Sequence, residues 1–126
     1  MNLCDQQALP VLQGAQRAGF GTIAKRSLAG RPWTGTFSGD FAHDEYRRRF
    51  AVMKSALGLT PPDWDEFSLR FAAFAPGVDC VIVGGTNVAN VDRNVTAVHR
   101  GPLPTGDTEA AQRAFLPYGR QWPGLI

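Results

Sequence analysis

Cysteine is nearly absent: Cys4 and Cys80 are the only two in 126 residues. Two thiols fit neither a disulfide framework nor a zinc site, and a reducing cytoplasm is the natural setting. An excess of charge of one sign is lacking too. Thirteen basic residues against eleven acidic leave +2, too near neutral to mark a nucleic-acid or membrane surface. No apolar run is long enough to span a bilayer, and no signal peptide opens the chain. No third glycine follows Gly84 and Gly85 at the spacing of the dinucleotide fingerprint, so that motif is excluded. Internal repeats and low-complexity tracts are missing as well.

What remains describes one modest domain. A hydrophobic content of 44% is enough for a core and argues against disorder. The stretch from Asp79 to Gly101 carries the clearest pattern. Cys80, Val81, Ile82 and Val83 read as a strand buried on both faces. Gly84 and Gly85 break it, and Thr86 and Asn87 are candidate helix N-caps. Val88, Val91, Val95 and Val98 recur at helical spacing as one apolar stripe, and Gly101 with Pro102 stops the helix. A strand, a glycine turn and a helix N-terminus form a common anion cradle in α/β proteins, because glycine lets the backbone approach and first-turn N–H groups carry partial positive charge. Spacing alone does not separate that reading from an ordinary turn that binds nothing.

Elsewhere the pattern alternates. Asp5 caps an expected helix through Ala18, closed by Gly19. Gly21 to Ala24 read as a short buried strand with Lys25 and Arg26 at its carboxyl end, the end at which parallel α/β folds bind ligands. Residues 29–42 form a long loop containing Trp33 and Phe37. A helix from about Asp44 to Leu57 turns Tyr46, Phe50, Met53 and Leu57 inward and Arg47, Arg48 and Arg49 mostly to water, and Gly58 ends it. Thr60 is the expected cap of the next helix, with Phe67, Phe71 and Phe74 along its apolar side. After a linker, Asp107 or Thr108 caps a last helix to about Leu116, and residues 117–126 read as an irregular tail. The first residues enter a helical pattern with no strand before them, so the chain reads as the end of something longer.

These residues resemble a known family. Gly21 to Trp33, with Ala24, Lys25, Arg26, Ser27, Leu28 and Ala29 as its most specific part, is similar to the C-terminal part of the aldo/keto reductases. So are Leu69 to Pro104 with the block Ile82 to Asn87, and the ends Asn2 to Gln6 and Trp122 to Gly124. The resemblance covers essentially the whole chain. It implies an α/β fold: a partial (β/α)8 TIM barrel comprising the last two βα units with flanking helices, residues 1–126 forming one incomplete domain. It also implies NADP(H) as cofactor, with NAD(H) as the alternative. Lys25, Arg26 and Leu28 then fall beside the nicotinamide and pyrophosphate, Gly84, Gly85 and Thr86 at the 2′-phosphate, and Asn90 and Asn94 at phosphate and adenine.

The family's catalytic Asp, Tyr, Lys and His have no counterpart here. Tyr46, Tyr118, His43 and His99 match none of them, so the resemblance implies an NADPH-dependent carbonyl oxidoreductase represented by its cofactor-binding segment, inactive alone. A carbonyl substrate would be met only if the missing barrel half completed the site. The reading of a different class is a non-catalytic nucleotide-binding or interaction module that self-associates through exposed sheet edges.

Overall fold

The computed structural model describes residues 1–125. Five helices and two very short strands follow in the order α1 (Leu9–Arg17), β1 (Ile23–Ala24), α2 (Phe41–Leu57), α3 (Trp64–Ala73), β2 (Cys80–Val81), α4 (Val88–His99) and α5 (Thr105–Gly119). The strands pair in parallel with Ile23 opposite Cys80 and Ala24 opposite Val81. The partial TIM barrel is therefore corrected. Two strands of two residues each make a small patch of sheet, and the mass of the chain is helices packed on one another, α2 on α5 and α3 on α4.

The helix ends follow from local chemistry. Asp40 caps α2 by accepting from the His43 N–H at 2.8 Å, and Gly58 closes it in the left-handed conformation. This places the start of α2 at Phe41, ahead of the expected Asp44, whose carboxylate instead accepts from the backbone of Ser38 and Gly39. Asp63, not Thr60, caps α3, taking the N–H groups of Asp65 and Glu66. Asn87 caps α4 through Ala89, as one of the two expected candidates. Asp5 caps nothing: α1 begins after Ala8 without a side-chain cap, and Asp5 pairs with Asn2 in a tight backbone turn. The last helix is longer than expected, from Thr105 with no side-chain cap to Gly119 with Pro117 inside it.

Packing is lopsided. Tyr46, Phe50, Met53 and Leu57 of α2 meet Phe67 and Phe71 of α3, Ala111, Ala114 and Phe115 of α5, and Leu3 with Cys4 from the N-terminal turn. Asn2 reaches into this core and donates to the Tyr46 hydroxyl at 3.2 Å. Trp33 packs on Phe50 and Trp64, so its loop covers the core, whereas Phe37 stays exposed under the Arg48 guanidinium. The sheet side is thin. Cys80 and Ile82 are exposed where a strand buried on both faces was expected, and so is Ile23 of β1. Among the valines of α4, Val88, Val91 and Val95 face out, and Ala97 is the residue that α4 buries. Phe74 likewise lies past the end of α3 and exposed. The cause is common to all of these: an apolar stripe is buried only where a neighbour lies over it, and nothing among the described residues lies over this face.

Among the described residues, no helix is long and apolar enough to cross a membrane.

Candidate functional site

The carboxyl ends of β1 and β2 lie side by side, which brings the two sequence segments of interest together. The Cys80 N–H donates to Thr22 O at 3.1 Å and the Ile82 N–H to Ala24 O at 2.9 Å. The chain then leaves β1 through Lys25 and leaves β2 through Val83 and Gly84. These exits enclose a cleft of about 390 Å³ lined by Lys25, Arg26, Ser27, Leu28, Arg31 and Gly84, among others. Arg26 holds φ 59, and Ala29, Gly30 and Arg31 are three successive residues in the same left-handed region. Such a run is costly for side chains with a Cβ, and here it accompanies two tight turns, in which the Ala29 N–H donates to Arg26 O at 2.8 Å and the Arg31 N–H to Leu28 O at 2.7 Å.

Neither Lys25 nor Arg26 takes part in an ion pair among the described residues, and both are exposed. Arg31 differs. Asp65 accepts from its Nε at 3.0 Å and its Nη2 at 2.5 Å, and from the Trp33 indole at 2.7 Å, so Arg31 anchors the loop to α3. Ser27 was not among the expected cofactor residues. It is buried, its carbonyl accepts from the Ser68 hydroxyl at 2.9 Å, and its own hydroxyl has no partner. A buried hydroxyl without a partner beside two unpaired cations is unusual, because such a group forgoes a hydrogen bond that water would supply. The only local signal for it was its place in the run Lys25, Arg26, Ser27.

A second, larger cleft of about 590 Å³ shares Val83 and Gly84 with the first. Gly85 and Asn94 line it, together with Val91, Val95 and His99. A Cβ built on Gly84 or Gly85 would meet nothing within 4 Å, so the groove between the clefts is open at both glycines. Of the eight expected cofactor residues, Lys25, Arg26, Leu28 and Gly84 thus share one cleft, and Gly84, Gly85 and Asn94 the other. Thr86 and Asn90 line neither of these two. His99, which matched none of the family's catalytic residues, also lines the second cleft.

The residues fit a phosphorylated ligand better than a flat ring. Two free cations, an unpartnered hydroxyl and glycine backbone suit an anion. No aromatic side chain lines the Lys25 cleft, where Leu28, Ile82 and Val83 are the apolar surfaces. Among the described residues, no group of three or more His, Cys, Asp or Glu side chains is placed to hold an ion.

No protein-family model matches the chain, and no curated protein or solved structure matches it either.

Proposed function

We propose that this chain is a nucleotide-cofactor-binding segment that takes NADP(H), of the kind used by carbonyl reductases that resemble the aldo/keto reductases. The observation that carries the reading is the buried, unpartnered Ser27 hydroxyl beside the unpaired Lys25 and Arg26 at the carboxyl ends of two parallel strands. Lys25 and Arg26 would neutralise the pyrophosphate, and Ser27 would donate to one of its oxygens. Gly84 and Gly85 leave the groove open toward Asn94, whose amide has donors and an acceptor for the adenosine end. The bound dinucleotide would supply hydride for carbonyl reduction. Neither tyrosine is placed to give the proton for that step: Tyr46 is buried against Asn2, and Tyr118 stacks on Trp122. It is expected to bind and not to turn over alone.

The test is titration with NADPH, followed by thermal unfolding and fluorescence. A ligand that binds the native state raises the unfolding midpoint by mass action. Saturable binding with a raised midpoint, weakened by Arg26→Ala and by Asn94→Ala, supports the reading. An unchanged midpoint at millimolar NADPH sinks it. A second reading, a non-catalytic interaction module that self-associates through open sheet edges, is favoured by one observation: β2 has a neighbour on one side only.

A further inference from the structure

The free edge of β2 has a definite chemistry. The N–H groups of Cys80 and Ile82 turn toward β1. Backbone groups alternate along a parallel ladder, so Val81 between them points both its N–H and its C=O away from β1. That outward edge opens into the cleft of about 590 Å³, bounded on the far side by Val91, Val95 and Val98 of α4 and by Phe74 at the end of α3. The apolar surface continues along the helix to Val88, which is 75% exposed.

We infer that the β2 edge and the valine face of α4 seat a second copy of this chain, across a two-fold axis, by antiparallel pairing of the two β2 strands about Val81. The inference rests on the self-association reading and names its interface. Three arguments choose the occupant. The edge is self-complementary: one residue that presents both a donor and an acceptor outward exchanges both bonds with its own copy in a narrow antiparallel pair. The two-fold axis is perpendicular to the sheet, so both α4 helices fall on one face of the joined sheet, where their valine stripes can cover each other. The size is also right. Phe74, Val88, Val91 and Val95 together expose on the order of 400 Å² per copy, a patch that marks an interaction site. With the strand edge and a polar rim this approaches the ~800 Å² per partner of a standard interface. A net charge of +2 opposes the approach of two copies only weakly.

The arrangement predicts a specific cross-link. In an antiparallel pair centred on Val81, Cys80 lies opposite position 82 of the second copy, with a Cα separation of about 4.5 Å, within disulfide range. The two Cys80 residues themselves lie a further step along the strand, about 7 Å or more apart, and should not join. Sedimentation equilibrium of the full chain between 1 and 100 µM is expected to show a dimer. Mild oxidation of Ile82→Cys should give a covalent dimer on a non-reducing gel, and the wild type should not. Adding Val95→Glu to that variant should abolish the cross-link, with circular dichroism confirming the fold. Val81→Pro, which removes an N–H that the β1 pairing does not use, should raise the dissociation constant at least tenfold. A chain that stays monomeric at 100 µM overturns self-association altogether. A dimer in which Ile82→Cys does not cross-link, or which Val95→Glu leaves intact, overturns this interface and places the contact elsewhere.

Discussion

Thr22 and Asp79 interlock the starts of the two strands. The Thr22 N–H donates to Asp79 Oδ2 at 2.8 Å, and the Asp79 N–H donates back to the Thr22 hydroxyl oxygen at 3.0 Å. The Thr22 hydroxyl oxygen lies 2.5 Å from Gly77 O and 3.1 Å from Asp79 Oδ2, either of which can accept its proton. Two residues of ladder on each side do not hold a parallel pair by themselves, so this side-chain clasp sets the register that brings Lys25 beside Gly84. Thr22→Val keeps the shape and removes the hydroxyl. It should lower the unfolding midpoint by on the order of 5 °C and weaken NADPH binding in parallel. Thr22→Ser should restore both, as calorimetry and titration on the three proteins would show.

Acid should unfold the protein through three carboxylates. The Ser38 N–H, followed by the Gly39 N–H and the Ser38 hydroxyl, holds the Asp44 carboxyl below its usual range. The Thr22 N–H does the same for Asp79, helped by the Gln16 side chain and the Thr22 hydroxyl. Arg100 and then Arg70 lower that of Glu66. Each group binds fewer protons folded than unfolded, so its contribution is complete above its unfolded pKa, near 4. That contribution is lost as pH falls through the lower, folded value. Thermal midpoints measured from pH 7 to 2.5 should therefore drop below about pH 4. Asp44→Asn should start lower and fall less steeply, and an equally steep fall in that variant would remove Asp44 from the account.

How much of this could be read beforehand divides along a physical line. The inner face of α2, the left-handed Gly58 and the Asn87 cap all depend on residues within a turn or two, and the sequence carried them. Lys25 and Arg26 lie near Gly84 because the two segments leave neighbouring parallel strands at their carboxyl ends, as their places in the sequence suggested, whereas Leu28 was singled out only through the resemblance. Burial of Arg49 was not legible, since the adjacent arginines look alike and its partners lie at Trp122 and Pro123. Nor was the exposure of Val88, Val91 and Val95, because periodicity shows that a face is apolar and not that anything covers it. The barrel expectation failed for the same reason: it required neighbouring strands that the chain does not form.

Two left-handed glycines should respond very differently to alanine. Gly58, at φ 70, has nothing within 4 Å of an added Cβ, so Gly58→Ala meets only the backbone penalty, about 1 kcal/mol. Gly77, at φ 86, sits against the first helix, and its Cβ would lie 2.5 Å from Gln13 N and 2.6 Å from Leu12 C. Backbone cannot swing aside as a side chain can. Gly77→Ala should lose about 3 kcal/mol or more, measured by urea unfolding, and should free α1 to exchange amide hydrogen faster. Similar losses at the two sites would mean that α1 is not held where Gly77 meets it.

Arg49 tests whether buried charge or buried volume matters more in the main core. Its side chain is 1% exposed, its Nε donates to Glu45 at 2.9 Å and its Nη2 to Pro123 O at 2.6 Å, and its guanidinium lies 5.1 Å from the Trp122 ring centre. Its Nη1 is buried with no partner, so the network is incomplete. Arg49→Ala removes the ion pair and leaves a void beneath Trp122, and should lose about 3–5 kcal/mol. Arg49→Met fills most of that volume and also removes the unsatisfied donor. Glu45 retains Arg48 at 3.4 Å and contact with water, so it is not stranded. The methionine variant should therefore lie within about 1.5 kcal/mol of wild type. Urea denaturation of both decides the matter. If methionine is as damaging as alanine, the hydrogen bond to Pro123 and the pair with Glu45 hold the tail against α2, and filling the space is secondary.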